Sequence, residues 1–100
     1  MSVPRRVVLS PEARADLRSI SAFTRKQWGA AQRRAYSQSL RDAFDQLAQF
    51  PGLGEMRPEY GPAIRGLTVG QHVVFYVVVT DALNIVRVLH VRRDADAELG

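Results

Sequence analysis

Cysteine is absent from these 100 residues. That single gap excludes disulfides, thiolate metal sites and cysteine nucleophiles, and it fits a reducing compartment. Histidine occurs only at His72 and His90, so two imidazoles are all that is left for metal or base chemistry, and neither a metal nor a cofactor is expected. Lysine occurs once, at Lys26, so thirteen of the fourteen cations are arginine. Arginine favours two-pronged contacts to carboxylates and phosphates, although a GC-rich genome produces the same bias. Long apolar runs are also missing. The opening "MSVPRRVVLSPE" sets two arginines before only three consecutive apolar residues, far short of a signal-peptide core, and no stretch reaches membrane length. A cytoplasmic protein is the simplest expectation.

What is present is ordinary for a folded chain: 46% apolar and 24% charged residues, with no low-complexity run. One domain spanning residues 1–100 is expected, with one core and one main surface. The net charge of +4 is unevenly spread, because residues 1–50 carry nine Lys/Arg against four Asp/Glu and residues 51–100 carry five against six. The basic character belongs to the first half.

Residues 6–9, "RVVL", read as a short strand that stops at "SPE". There Ser10 suits a helix N-cap, Pro11 the first helical position and Glu12 the positive end of the helix dipole. Ala13, Leu17, Ile20 and Thr24 keep helical spacing, and the helix is predicted over about 11–27, closed by Trp28 and a C-terminal Gly29. Tyr36, Leu40, Ala43, Phe44, Leu47 and Phe50 repeat the period until Pro51 stops it. So short a connection makes the two helices an antiparallel hairpin. Residues 51–62, "PGLGEMRPEYGP", hold three prolines and three glycines and are expected to be the one long loop without regular structure. Then the period changes: "AIRGL" (63–67), "HVVFYVVV" (72–79) and "LNIVRVLHV" (83–91) predict a three-stranded antiparallel meander. The final "DADAELG" reads as a frayed end or one helical turn. The order β-α-α-β-β-β makes an α+β domain, a helical hairpin packed on one face of a small antiparallel sheet that the first strand completes.

The strands do not alternate as a two-layer protein should. In the last one, regular pleating puts Leu83, Ile85, Arg87, Leu89 and Val91 on one face and Asn84, Val86, Val88 and His90 on the other, so both faces are substantially apolar. The second face can be covered by the chain's own loop and tail or by another chain. A partner is the expectation drawn here, since an open apolar face of a few hundred Å² is an aggregation hazard.

Taken in order, "LSPEARADLRSI" with a tryptophan ending the first helix, "QLAQFPGLGEMRPE", "IRGL", "HVVFYVV" and "IVRVLHVRRD" resemble the ParE toxins of the RelE/ParE superfamily, from bacterial toxin–antitoxin modules. The resemblance covers essentially the whole chain. It implies a cytoplasmic toxin neutralised, in a hetero-oligomer, by a ParD-type antitoxin whose C-terminal segment lies on the apolar surface. It also implies DNA gyrase as the target, inhibited without catalysis by the toxin.

RelE-type relatives on the same fold cleave mRNA in the ribosome, which gives the alternative. Their chemistry needs a base for the 2′-OH proton, cations for the charged phosphorane and an acid for the leaving oxygen. Arg65 matches a position where those nucleases place an arginine, and His90 lies near where some place a histidine. The departures weigh against it. Position 91 is Val in place of tyrosine, and the loop before Arg65 offers Arg57 but no lysine. Regular pleating also separates Arg87 from His90, leaving Arg65, His90 and one of Arg92 or Arg93 to converge. No catalytic residue is therefore assigned. Arg65, Arg87, His90, Arg92 and Arg93 are candidate contacts to target or antitoxin, with ordinary structural roles open to each: His90 as a hydrogen-bonded strand end, Arg65 paired with Glu55, Glu59 or Asp94. His72, Tyr60 and Tyr76 read as strand entry and packing. Direct nucleic-acid binding through Arg14, Arg18, Arg25, Lys26, Arg33 and Arg34 is not expected, since no recognition motif accompanies the charge.

Overall fold

In the computed structural model of the chain, residues 3–93 and 95–99 are described. The order is β1 (Arg6–Leu9), α1 (Pro11–Trp28), α2 (Ala30–Gln49), β2 (Glu55–Met56), β3 (Arg65–Val69), β4 (His72–Val78), β5 (Ala82–His90) and α3 (Ala95–Leu99). Ser10 closes α1 as predicted, its hydroxyl accepting the Ala13 N–H at 2.9 Å. At the other end Gly29, with φ of +92°, is the single residue between the helices. A positive φ is cheap only for glycine, so one residue turns the chain back on itself.

The five strands lie in the order β1-β5-β4-β3-β2. Two features depart from the sequence reading. β1 runs parallel to β5, so the sheet is mixed. The helical hairpin carries the chain from β1 to β2 at the opposite edge, and the antiparallel strands that follow bring β5 back beside β1, where so long a connection lets it add in parallel. The loop after α2 is also less irregular than its prolines and glycines suggest. Pro51–Leu53 and Pro58–Tyr60 form 3-10 turns, and Glu55–Met56 pairs antiparallel with Gly66 and Arg65. The prolines start those turns, where a missing N–H costs nothing.

The main core lies between the hairpin and the sheet. Ala13, Leu40, Phe44 and Leu47 pack on Val74, Tyr76, Leu83, Ile85 and Val88. A second cluster occupies the opposite sheet face, where Phe75, Leu89 and Ala95 meet Tyr60, Ile64, Val73 and Leu99. That face is therefore covered over β4 and β5 by the chain's own loop and tail, which corrects the expectation that a partner must do it. Arg57 adds to the cover, its guanidinium 5.2 Å from the Tyr60 ring centroid and 5.9 Å from that of Phe75.

The two clusters explain why β5 reads apolar on both faces. Its pairing with β4 slips by one residue: Tyr76 faces Ile85 but Phe75 faces Arg87, leaving Val86 as a bulge. A bulge exchanges the faces of everything beyond it. Leu83 and Ile85 point to the helices, yet Leu89 belongs to the far cluster and Val88 to the near one. The sequence reading had placed Leu83, Ile85 and Leu89 together.

Candidate functional site

At the tip of the hairpin, beyond the bulge, the helices stand away from the sheet and leave a groove of about 450 Å³. Its walls are Phe23, Thr24 and Trp28 of α1 with Gln32 and Tyr36 of α2, and its floor is Gln71, His72 and His90. The wall aromatics are open to solvent, Phe23 at 62% and Trp28 at 71% exposure. Exposed aromatics at one end of a small protein are unusual ground for solvent and good ground for another chain.

The floor is built by the strand register. His72 begins β4, His90 ends β5, and the shifted pairing sets them opposite each other, rings edge to face with centroids 5.4 Å apart. Tyr36 reaches down from α2. Its hydroxyl lies 2.6 Å from His72 Nδ1 and 3.1 Å from the Val69 carbonyl, two acceptors that compete for its one proton, and accepts the Gln71 N–H at 3.0 Å. Gly70 makes this approach possible. It has φ of +57°, and a Cβ there would sit 2.8 Å from the Tyr36 ring. Burial pushes the His72 imidazole below its ordinary value of 6.5, the neighbouring His90 pushes it the same way, and Asp16 opposes both. A neutral His72 offers Nδ1 as an acceptor to the Tyr36 hydroxyl. Burial in turn raises the Tyr36 phenol, against the Gln71 N–H, which favours the phenolate.

The five candidates from the sequence do not share this site. Only His90 is in it, with Nδ1 accepting the Arg92 backbone N–H at 3.1 Å. Arg65 sits opposite Tyr76 on β3, and its guanidinium donates to the Gly54 carbonyl at 2.8 Å. Glu59 is taken by Arg57 at 3.2 Å, and Asp94, the other acid considered for Arg65, lies outside the described residues. His90 pairs with His72, four residues from Tyr76 along β4, so Arg65 and His90 are separated by roughly 13 Å along the strand and by two strands across. They do not converge. Arg87 is engaged elsewhere: two donors go to Asp16 at 2.8 and 2.9 Å and a third to Glu98 at 2.8 Å, tying α1 to α3. Asp16 also accepts the Val88 N–H, a donor on the part of β5 that extends beyond β1. These carboxylates hold the Arg87 guanidinium firmly protonated. Arg93 is exposed and shares Glu98 at 2.9 Å, and Arg92 is exposed.

A 2′-OH cleavage site requires base, acid and cations around one phosphate, and these residues are spread over both sheet faces and both ends. The groove offers instead an apolar, aromatic-walled opening with two imidazoles and a phenol below, chemistry suited to holding a side chain of another molecule. Sequence reading missed Phe23, Trp28, Tyr36 and His72 as members of it. Distance from the β4–β5 turn was the available signal, but a regular hairpin register pairs His72 with Leu89, and only the bulge at Val86 brings His90 opposite.

The fold and groove thus define a small α+β protein with an open, aromatic-walled groove at the tip of its helical hairpin. A family model described as the ParE toxin of the type II toxin-antitoxin system, parDE, matches residues 7–95. The chain belongs to this family of toxins. It is 39% identical to Toxin ParE1 of Mycobacterium tuberculosis over 95 residues, covering 94% of this chain and 97% of that one. It is 36% identical to Toxin ParE1 of Caulobacter vibrioides over 92 residues, covering 92% and 95%, and 38% identical to Toxin ParE of Escherichia coli over 88 residues, covering 87% and 85%. In three dimensions it is similar to a chain of a solved structure described as the chromosomal ParDE TA system from P. aeruginosa. The TM-score is 0.77 at 22% identity, over 91% of this chain and 100% of that one.

Proposed function

We propose that this toxin acts in the cytoplasm by binding and inhibiting DNA gyrase, so that replication stalls, and that a ParD-type antitoxin neutralises it by covering part of its surface. The observation that carries this reading is the separation of Arg65 from His90 in a chain of the ParE family: binding surfaces are in place, and a nuclease centre is not assembled from the candidate residues. The toxin works by occupancy and not by turnover. Its open groove with Phe23 and Trp28, and the exposed Arg92 beside His90, are the surfaces that a target or an antitoxin would contact. The far sheet face contributes less than the sequence suggests, because Tyr60, Ile64 and Leu99 already lie on it.

Induction of the chain in cells lacking the antitoxin tests the reading. Growth should stop with DNA breaks accumulating and messenger RNA intact, and co-expression of the antitoxin should restore growth. Truncated transcripts, abolished by Arg65→Ala, would support the ribosome-dependent endonuclease in its place.

A further inference from the structure

A second groove, of about 280 Å³, lies along the seam between the two long helices. It is lined by Arg18, Ser21, Ala22 and Arg25 of α1 and Arg33 of α2. Arg18 and Arg25 are seven residues apart, about 10 Å along one side of α1, and Arg33 faces them from the neighbouring helix. Among the described residues no carboxylate lines the groove. Among the described residues the ion pairs engage Arg57, Arg87 and Arg93, and none engages these three. The Nε of Arg33 is buried without a hydrogen-bond partner. Three like charges gathered on one seam, one of them with a desolvated and unpaired donor, raise the energy of the free protein. An anion placed among them relieves the repulsion of the three guanidinium groups.

We propose that this seam is a carboxylate-binding surface that receives an acidic, partly apolar segment of a protein partner. The guanidinium fork matches a carboxylate with two parallel hydrogen bonds. A glutamate on its flexible stem can enter a narrow seam and present its carboxylate to guanidinium groups on both helices, whereas a phosphodiester stays flush with its own polymer. Phe23 and Trp28, exposed near the same end of α1, supply apolar ground that leucine-like side chains of such a segment cover. The inference deepens the proposed neutralisation and rests on it only in taking the partner to be the antitoxin.

The test uses the full chain and two labelled probes of equal charge, read by fluorescence anisotropy at physiological salt. One is an amphipathic peptide with glutamates on one face and leucines on the other; the other is a single-stranded oligonucleotide. The peptide should bind more tightly, and Arg33→Gln and Arg18→Gln should each weaken it by about 10-fold or more, while Arg6→Gln on β1 leaves it unchanged. Arg33→Lys should not rescue, since an ammonium has no fork. Arg18 and Arg25 are exposed, so Arg18→Gln and Arg25→Gln keep the fold and decide the matter even if the Arg33 variants do not. Peptide binding indifferent to these substitutions overturns the inference. So does tighter oligonucleotide binding that responds to them, which would make the seam a phosphate site. Either result with gyrase inhibition intact overturns this inference alone.

Discussion

Tyr76 shows how one side chain fixes a loop. It is fully buried, and its hydroxyl donates to the Pro51 carbonyl at 2.6 Å and accepts the Gly54 N–H at 2.8 Å. Two ends of the Pro51–Leu53 turn are thereby held to the central strand, and Gly54 is required there because a Cβ would lie 2.5 Å from that hydroxyl. Tyr76→Phe leaves a part-buried carbonyl and a buried N–H without their partner. It should destabilise the protein by about 1–3 kcal/mol, measured as a lower urea midpoint with unchanged slope. The sequence places Tyr76 in a central strand as packing, and it is packing, but its hydrogen bonds run to residues more than twenty positions away and leave no local mark. Arg87 likewise leaves no local mark, since its partners Asp16 and Glu98 lie in two different helices.

Most elements were legible in the residues. The Ser10-Pro11-Glu12 start, the Gly29 stop and the valine-rich strands follow from capping chemistry and period, and the observed bounds differ from the expected ones by one or two residues at most of the ends. What periodicity did not convey was the bulge at Val86. A bulge is an agreement between two strands about register, and neither strand alone encodes it. Ser10 is part of that agreement, since its hydroxyl, besides capping α1, donates to the Val86 carbonyl at 2.7 Å. Ser10→Ala therefore removes a cap and a bulge contact together. The expected loss is about 2 kcal/mol, the upper end of capping effects, with amide exchange accelerated at Val86 through Val88 as well as in the first turn of α1. A loss confined to α1 would separate the two roles. The short pairing of Glu55–Met56 escaped for a related reason: two residues carry no period, and their partner strand decides them.

Across the whole molecule, helix tip, hairpin end and strand end meet in the groove, and His72 on its floor is a titratable group whose surroundings bear on folding. Its imidazole lies below its ordinary 6.5 chiefly through burial, then through His90, with Asp16 opposing. The unfolded chain therefore binds a proton there more readily than the folded one. The contribution to stability is complete above about 6.5 and is lost as pH falls through the folded value. The melting temperature should fall between pH 7.5 and 5, and fall less in His72→Gln, which keeps an acceptor near the Tyr36 hydroxyl. Equal slopes would mean that other groups carry the acid sensitivity.

At this scale the element order and motif sequence already pointed to the ParE family, whereas the groove was not legible, since it joins residues as distant as Phe23 and His90. The most direct measurement of the central claim is DNA supercoiling by purified gyrase with the purified toxin added. Supercoiling should be lost near stoichiometric toxin, the loss retained in Arg65→Ala to within about an order of magnitude and relieved by the antitoxin. Undiminished supercoiling at large molar excess of folded toxin would contradict it.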